Sequence, residues 1–342
     1  MQRYSVPTKR FIEPSAVVAI VANPLGSPPM PELHCAGKRW SVAPATNLLD
    51  ALIAARLPVP YSCRAGSCHA CLVRCVDGAP RDLQPDLLRP EQHAAGWRLA
   101  CQCRVEENFG VEVFDPRRDG LPAQVQSAEW LSDSVLRLRL LPERPLRYRA
   151  GQHLLLWTGA GIARPYSLAS VPGDDPWLEF HLDCSRPGAF CDAARQLREG
   201  DTLRLGDLHG GALHYEPEWS ERSLLLLASG TGLAPLFSLL RESLRQGHAG
   251  TIRLVHFCRD EHYLRGPLQE LADRHENLEL QWVDAQQRDS MLSTLRPTSR
   301  RDIALLCGGS AFVDACARRL FLAGLPRGQI FSDAFVSATQ PQ

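Results

Sequence analysis

The sequence lacks the features that define several large classes of protein. None of its apolar runs approaches the roughly 20 residues that a membrane-spanning helix requires. Its 38 Lys and Arg residues are balanced by 38 Asp and Glu residues, which favours neither nucleic acid nor an anionic membrane as a partner. It has no internal repeat and no long low-complexity tract. We therefore expect a globular, cytoplasmic protein whose 342 residues suffice for two or three domains.

The first 30 residues differ from the rest. Basic residues precede a short apolar run, residues 16–22, and a stretch that contains Pro and Gly follows. A secretory signal has a similar order, but this run is short and Glu13 interrupts its approach. We interpret residues 1–30 as an extension, either disordered or upstream of a true start at Met30.

Cysteine is abundant, with 12 residues. Disulfides are rare in proteins without a secretory mark. Four of the 12 cysteines lie between Cys63 and Cys75, and such uneven spacing indicates metal ligation. Most of the cysteines that are not candidate ligands lie in apolar runs, where a thiol packs as a small hydrophobic side chain: Cys35, Cys75, Cys103, Cys184, Cys191, Cys258, Cys307 and Cys316.

The candidate ligands are Cys63, Cys68, Cys71 and Cys101. The first three have the spacing C-x4-C-x2-C, and the fourth follows after 29 residues. This is the ligand arrangement of a plant-type [2Fe–2S] cluster, in which one loop supplies three thiolates. Gly66 gives the loop the backbone freedom that wrapping a cluster requires. The alternative is zinc, but zinc ribbons usually have two C-x2-C pairs and this sequence has one.

Three segments with different patterns follow the extension. Residues 31–115 alternate short β-like runs with one helix, which Asn47 can cap, and 115–120 form a polar linker. Residues 121–217 have short strands at regular spacing and one helix near 189–197, a pattern typical of a barrel or sandwich. Residues 222–342 alternate buried strands with helices, which predicts a doubly wound sheet.

Two motifs in these segments can bind nucleotide cofactors. Arg164, Pro165, Tyr166 and Ser167 offer a cation for phosphate, an aromatic face and a hydroxyl, as a flavin site requires. A helix start at 188–191 would add a phosphate site. In the last segment a buried strand runs into Gly230, Thr231 and Gly232, where the backbone could approach a pyrophosphate. Without other support, a strand–turn–helix crossover explains these glycines equally well.

The order of these motifs resembles that of known families. Residues 31–115 are similar to plant-type ferredoxins, which implies a β-grasp domain. The remainder resembles the ferredoxin–NADP⁺ reductase family, which implies an antiparallel six-stranded flavin-binding β-barrel and a doubly wound Rossmann-like nucleotide domain. By that resemblance Arg164 contacts the flavin phosphates, Tyr166 packs on the isoalloxazine and Ser167 reaches N5. FAD is the cofactor that relatives with an N-terminal ferredoxin usually carry, and FMN is the alternative.

The resemblance also assigns roles near the pyrophosphate and the nicotinamide. Gly188 and Cys191 lie at the glycine-rich helix start, where the family usually has Ser or Thr instead of Cys191. Cys307 and Gly308 match the first positions of a C-G-x-P element, with Cys307 close to the nicotinamide C4. Phe335 matches the aromatic residue near the flavin. Asp284 ends a predicted strand where NADPH-using relatives place Ser-Arg, which favours NADH because an acidic group repels a 2′-phosphate.

Residues 31–335 as a whole resemble the reductase components of bacterial multicomponent oxygenases. The resemblance implies an enzyme that takes a hydride from NADH onto FAD and passes single electrons through the cluster to a protein acceptor, an oxygenase component. The same pattern is similar to the reductase that assists deoxysugar formation on CDP-hexoses, and a general NAD(P)H:ferredoxin or flavin reductase is a further alternative. A non-catalytic docking or redox-sensing role would predict a poor flavin site.

Overall fold

A computed structural model of the chain describes residues 30–210 and 212–335. The expectation for residues 1–29 lies outside these ranges. Within them, three main sheets of five, six and five strands follow one another along the chain. We refer to them as the N-terminal, middle and C-terminal sheets. No helix in the described part of the chain is long and apolar enough to cross a membrane.

The N-terminal sheet is mixed and carries one helix on its inner face. Its strand order is β2-β1-β8-β4-β6, with β1 and β8 parallel and the other pairs antiparallel. Strands β3, β7 and β5 form a small separate sheet. The elements are β1 (Glu32–Cys35), β2 (Lys38–Ser41), β3 (Thr46–Asn47), α1 (Leu48–Ala54), β4 (Leu72–Asp77), β5 (Arg81–Asp82), α2 (Pro90–Ala94), β6 (Trp97–Leu99), β7 (Cys103–Val105) and β8 (Phe109–Val113).

Helix α1 forms where the apolar spacing predicts it. Asn47 caps it, since its side-chain oxygen accepts a hydrogen bond from the Asp50 N–H at 3.3 Å. Leu48, Leu49 and Leu52 are fully buried in the core of the N-terminal sheet. A helix packed across a mixed sheet confirms the β-grasp prediction.

The middle sheet has six antiparallel strands in the order β12-β11-β14-β9-β10-β13. Its two edges approach each other at one isolated bridge, between Leu168 and Phe180. The prediction of six antiparallel strands is confirmed, but no continuous ladder closes the described strands into a barrel. The elements from the linker onward are α3 (Pro116–Asp119), β9 (Leu121–Trp130), β10 (Val135–Pro142), β11 (His153–Trp157), β12 (Ala163–Ser167), β13 (Leu178–Asp183), α4 (Ala189–Ala194) and β14 (Thr202–His209).

Two features of this region go beyond the pattern predicted for it. Strand β14 continues past Gly206 and Asp207 to His209 through a β-bulge, where it has one residue more than β11 between paired positions. The glycine suits this place because a Cβ on Gly206 would lie 3.2 Å from the Leu155 Cβ. The polar linker also contains one helical turn, α3, whose first N–H groups are capped by Asp115.

The C-terminal sheet is parallel, with strand order β17-β16-β15-β18-β19. Alternate residues of β15 face two separate cores: Leu226 packs on the α5 side, and Leu227 packs on the α8 side. This confirms the doubly wound prediction. The elements are β15 (Leu224–Ser229), α5 (Leu233–Arg245), β16 (Ile252–Phe257), α6 (Arg265–Arg274), β17 (Leu278–Val283), α7 (Arg288–Thr294), β18 (Ile303–Gly309), α8 (Ser310–Leu322) and β19 (Ile330–Phe335).

Polar contacts join the middle and C-terminal sheets. Arg241 of α5 forms ion pairs with Asp174 and Asp175, each at 2.7 Å. The Ser238 hydroxyl donates a hydrogen bond to the Ser170 carbonyl at 2.6 Å. Together, these ion pairs and the buried hydrogen bond hold the two sheets against each other.

The N-terminal sheet is joined to the middle sheet by an apolar cluster and a hydrogen bond. Phe114 stacks on Trp157 with the ring centroids 5.2 Å apart, and Ala70 of the cysteine loop packs against the same tryptophan. The Gln92 amide donates a hydrogen bond to the Asp207 carboxylate at 2.6 Å. The cysteine loop therefore lies against the middle sheet.

Candidate functional site

The cysteine loop contains three residues with positive φ: Arg64 at 52°, Gly66 at 86° and His69 at 54°. These turns direct backbone N–H groups toward sulfur. The Ala65 and Cys68 amides each donate to the Cys63 Sγ at 3.3 Å. A Cβ on Gly66 would lie 2.3 Å from the Leu87 side chain, so a larger residue would not fit. The role expected for Gly66 is confirmed by its conformation.

The four predicted ligands are arranged as two pairs of thiols. Cys63 is hydrogen-bonded to Cys68, and Cys71 is hydrogen-bonded to Cys101. The hydrogen bond from Cys68, with the Ser67 side chain and two backbone amides, lowers the pKa of Cys63 to about 4. The hydrogen bond from Cys71, with the Gln102 amide, lowers the pKa of Cys101 to about 7. One sulfur of each pair is thus stabilised as a thiolate, the form that binds metal.

Paired sulfurs fit a two-iron cluster, in which each iron takes two thiolates. A structural zinc ion would need all four donors around one point. Among residues 30–210 and 212–335, no group of three or more His, Cys, Asp or Glu side chains surrounds such a point. Cys103 is fully buried in the core of the N-terminal sheet and Cys75 packs against it, as expected for residues that are not ligands.

The predicted flavin motif lies on β12. Tyr166 packs against Phe190 of α4 with the centroids 5.1 Å apart, and burial raises the pKa of its phenol well above the usual value. Ser167 is buried and is paired with His153 of β11 in the strand register. The Cys191 thiol donates to the Asp183 carbonyl at 3.3 Å, so its proton is directed at the protein.

One cavity of about 390 Å³ collects residues from all three sheets. This volume is within the range of small-molecule sites. The cysteine loop contributes Cys63 and Cys68, and the middle and C-terminal sheets supply the other walls. Of the predicted cofactor-site residues, it includes Arg164, Pro165, Tyr166, Ser167, Gly188, Cys191, Thr231 and Phe335.

The remaining predicted residues lie at the carboxyl edge of the C-terminal sheet, outside the lining of this cavity. A Cβ on Gly232 would lie 2.2 Å from the Cys307 carbonyl oxygen, and one on Gly308 would lie 2.8 Å from the Ser229 Cβ. The Gly230–Gly232 turn and the end of β18 are therefore in direct contact. The Cys307 side chain is fully buried in the core, and burial raises its pKa well above the usual value.

Sequence reasoning missed a group of histidines at the junction of the cysteine loop and the middle sheet. His69 follows Cys68, and its ring centroid lies 3.8 Å from that of His209 on β14. His153 pairs with His209 across the strands and lies 4.0 Å from the Asp333 carboxylate of β19. Single histidines at positions 69, 153 and 209 carry no sequence signal that would have grouped them.

Burial disfavours the charged form of these histidines. It lowers the pKa of His69 to about 4 and that of His209 well below the usual value. Burial likewise lowers the pKa of His153, and it raises the pKa of Asp333. Positive charge is therefore disfavoured at this junction near neutral pH.

Comparison with known proteins assigns this chain to a family. The "2Fe-2S iron-sulfur cluster binding domain" family matches residues 33–106, and the "Oxidoreductase NAD-binding domain" family matches residues 226–318. The terephthalate 1,2-dioxygenase reductase component 2 of Comamonas sp. is 31% identical over 231 residues, which cover 65% of this chain and 68% of that one. The chain belongs to the iron–sulfur flavoprotein reductases.

Other members of this reductase family match nearly the whole chain. The ferredoxin–NAD(P)⁺ reductase component of the Ralstonia sp. naphthalene 1,2-dioxygenase/salicylate 5-hydroxylase systems is 29% identical, covering 85% of this chain and 93% of its own. The crystal structure of the Amycolatopsis cytochrome P450 reductase GcoB aligns with a TM-score of 0.61 at 25% identity, covering 90% of this chain and 100% of that one. Curated relatives also include a CDP-6-deoxyhexulose dehydrase reductase.

The reductase is an oxidoreductase whose cofactors are a [2Fe–2S] cluster, FAD and NADH. The residues present fit these groups: paired thiols with amide donors for the cluster, and a cation, an aromatic ring and a hydroxyl on one strand for the flavin. A glycine turn that leads into α5 fits the dinucleotide.

Proposed function

We propose that the reductase takes electrons from NADH and passes them, one at a time, to an oxygenase component. Cys63, Cys68, Cys71 and Cys101 would hold the cluster through which they leave. The observation that supports this most directly is the single cavity. Cys63 and Cys68 line it together with Tyr166 and Ser167. A flavin held there would lie next to the cluster, and transfer between them would need no rearrangement of the domains.

The residues that line the cavity would have different roles in the reaction. Arg164 would bind the flavin phosphates, Tyr166 would pack on the ring and Ser167 would bond its N5 edge. Thr231 and Phe335, from the C-terminal sheet, form the side from which the nicotinamide would approach. Bound there, the cofactors supply the redox chemistry, in which a hydride is accepted and two electrons leave singly. The protein excludes water and holds the reacting groups in place.

The cluster loop also provides an exit. Arg64 and Ala65 are exposed on the side of the loop that faces solvent. The Arg64 guanidinium lies over the Tyr61 ring and forms an ion pair with Asp50 at 2.7 Å. This ordered surface would receive the acceptor protein, and the nearly balanced charge of residues 31–115 favours a partner without a strong charge of one sign.

We propose NADH as the preferred donor because of Asp284. Asp284 directly follows β17 at the C-terminal edge of the parallel strands, where the adenine ribose of a dinucleotide binds in this type of fold. A carboxylate there accepts a hydrogen bond from the 2′-hydroxyl and repels a 2′-phosphate.

The test is an anaerobic titration of the holoenzyme with NADH, followed by visible absorbance and electron paramagnetic resonance. We expect the flavin to bleach and the cluster to become paramagnetic, and NADPH to act much more slowly. Bleaching without a cluster signal would refute intramolecular transfer, and equal rates with NADPH would refute the role of Asp284. Adding candidate acceptors to the reduced enzyme then separates an oxygenase component from a CDP-hexose dehydrase, since the true acceptor reoxidises it fastest.

A further inference from the structure

A chain of polar groups crosses the carboxyl edge of the C-terminal sheet, with two buried histidines at its centre and an exposed carboxylate at one end. His256 Nε2 lies 3.1 Å from the Gly230 carbonyl oxygen, and His256 Nδ1 lies 3.1 Å from His262 Nδ1. His262 Nε2 lies 3.0 Å from the Asp284 Oδ1. The two histidines are 0% and 8% exposed, so water is excluded from the contact between their rings, whereas the Asp284 carboxylate at the end of the chain is 63% exposed. The chain connects the glycine turn to the carboxylate at the end of β17.

The three hydrogen bonds of this chain require a fixed number of N–H hydrogens. A carbonyl oxygen and a carboxylate lie at its two ends, and both can only accept. Three hydrogen bonds therefore need three N–H groups from the two imidazoles. Two neutral imidazoles supply only two. All three bonds form when one of the histidines is an imidazolium.

The extra proton belongs on His262. That ring is next to Asp284, whose negative charge balances it within hydrogen-bond distance. Burial lowers the pKa of His256 to about 4, so His256 is the neutral member of the pair. It donates from Nε2 to Gly230 and accepts at Nδ1 from His262.

Other polar groups packed around the pair have partners of their own. The Tyr263 hydroxyl lies 3.3 Å from His181 of the middle sheet, and the Cys258 thiol donates to the Glu261 carbonyl at 3.0 Å. The Arg265 guanidinium of α6 lies over Trp282, whose ring meets His262 edge-on at 5.4 Å. Asp284 is thus the group that compensates the charge.

We propose that His262 is a positioning residue of the coenzyme site. As an imidazolium it ties the Asp284 carboxylate, through His256, to the Gly230 turn, so that the ribose-binding and pyrophosphate-binding groups are held as one unit. The proposal rests on the function proposed above for Asp284 and the turn. Its consequence is that affinity for the adenosine diphosphate half of NADH falls as alkaline pH removes the proton.

The test uses ADP-ribose, which carries the ribose and pyrophosphate but cannot transfer a hydride. Its binding to the oxidised holoenzyme is measured by calorimetry between pH 6 and 9. We expect wild-type affinity to fall at the alkaline end. We expect His262→Gln to bind about tenfold more weakly near neutral pH, the loss expected for one charge-assisted hydrogen bond, and to lose the pH dependence.

The matched control is His248→Gln. His248 is a buried histidine of the same part of the chain, and its ring bonds the Tyr215 hydroxyl at 3.0 Å. We expect its affinity and pH profile to match the wild type. Nitrogen-15 NMR of histidine-labelled wild-type holoenzyme reads the protonation directly, and we expect both ring nitrogens of His262 to carry hydrogen at neutral pH.

Two results would overturn the proposal while leaving the coenzyme site intact. One is a neutral His262 in the NMR spectrum, and the other is unchanged ADP-ribose binding in a folded His262→Gln. If the wild-type holoenzyme binds no ADP-ribose although His262 is an imidazolium, the coenzyme role of this edge is wrong as well. The two failures are therefore distinguishable.

Discussion

The imidazole rings of His69 and His209 lie 3.8 Å apart between centroids, across the boundary between the cysteine loop and the middle sheet. His69 directly follows the predicted ligand Cys68 in the loop. His209 is the last residue of β14 and is paired with His153 of β11. Two uncharged rings in this position can pack closely, whereas two imidazolium ions would repel. This contact joins the cysteine loop, which carries the cluster ligands, to the middle sheet that forms much of the flavin cavity.

Replacing His209 should slow electron transfer between the two sites. His209→Ala removes the ring against which His69 packs, and small displacements of reacting groups are costly. We expect the cluster to be reduced at least about tenfold more slowly after rapid mixing with NADH, while the flavin bleaches at the wild-type rate. His209→Phe keeps a ring and should retain most of the rate. Equal cluster reduction in the alanine variant would show that the contact does not position the loop.

Removing the fourth sulfur should abolish the cluster and leave the flavin site active. In Cys101→Ser the thiolate stabilised by Cys71 and Gln102 is lost, so we expect little or no cluster by iron analysis and absorbance. NADH-to-ferricyanide activity should persist, because it needs only the flavin. Cys103→Ala, two positions away on β7, is the control and should keep its cluster. Loss of both activities in a folded Cys101→Ser protein would argue against separate sites.

The aromatic ring on β12 should govern flavin retention. Tyr166→Ala removes a stacking surface worth about 0.5–1.5 kcal/mol, so we expect the FAD dissociation constant to rise by up to roughly tenfold. Tyr166→Phe keeps the ring and should bind FAD nearly as well as the wild type. Flavin fluorescence after dilution measures both. Unchanged retention in the alanine variant would remove Tyr166 from the site.

Mild acid should destabilise the protein. Burial lowers the folded-state pKa of His209 and of His256, the latter to about 4. A histidine with a depressed pKa contributes stability above its unfolded value near 6.5, and this stability is lost as pH falls toward the folded value. Each residue can cost up to about 1.4 kcal/mol per pH unit in that window.

We therefore expect the melting temperature of the holoenzyme to fall between pH 7 and pH 5. His209→Gln carries no proton to gain, so its melting temperature should fall less steeply over the same range. A wild-type melting temperature that is constant or rises in this window would contradict the burial of these rings.

Local pattern was enough to predict much of the fold and part of the site. Cysteine spacing predicted four residues that the structure arranges as two thiol pairs, and alternation on β12 predicted two residues, Arg164 and Tyr166, that line one cavity. Both patterns can be read from the sequence because most residues of each lie close together in the chain, in one loop or on one strand. Helix α5 starts at Leu233 and includes Pro235, because a helix tolerates proline in its first turn, where N–H groups lack partners.

What escaped prediction depends on contacts between distant segments. His69, His153 and His209 come together only when the loop docks on the middle sheet, and His256 meets Asp284 only across neighbouring strands. The bulge at Gly206 follows from its pairing with β11, which one strand's sequence cannot reveal. Each of these features depends on how distant segments are aligned in the folded protein, and the periodicity of the sequence carries no information about that alignment.

The short connection between β8 and β9 has a further consequence. Residues 114–120 span it, and Phe114 is already anchored on Trp157. A tether of this length holds the cluster near the flavin at an effective concentration on the order of millimolar or above. A free ferredoxin at micromolar concentration would compete poorly for those electrons. The first transfer is thus independent of dilution, and only the second, to the separate acceptor, responds to how much partner the cell makes.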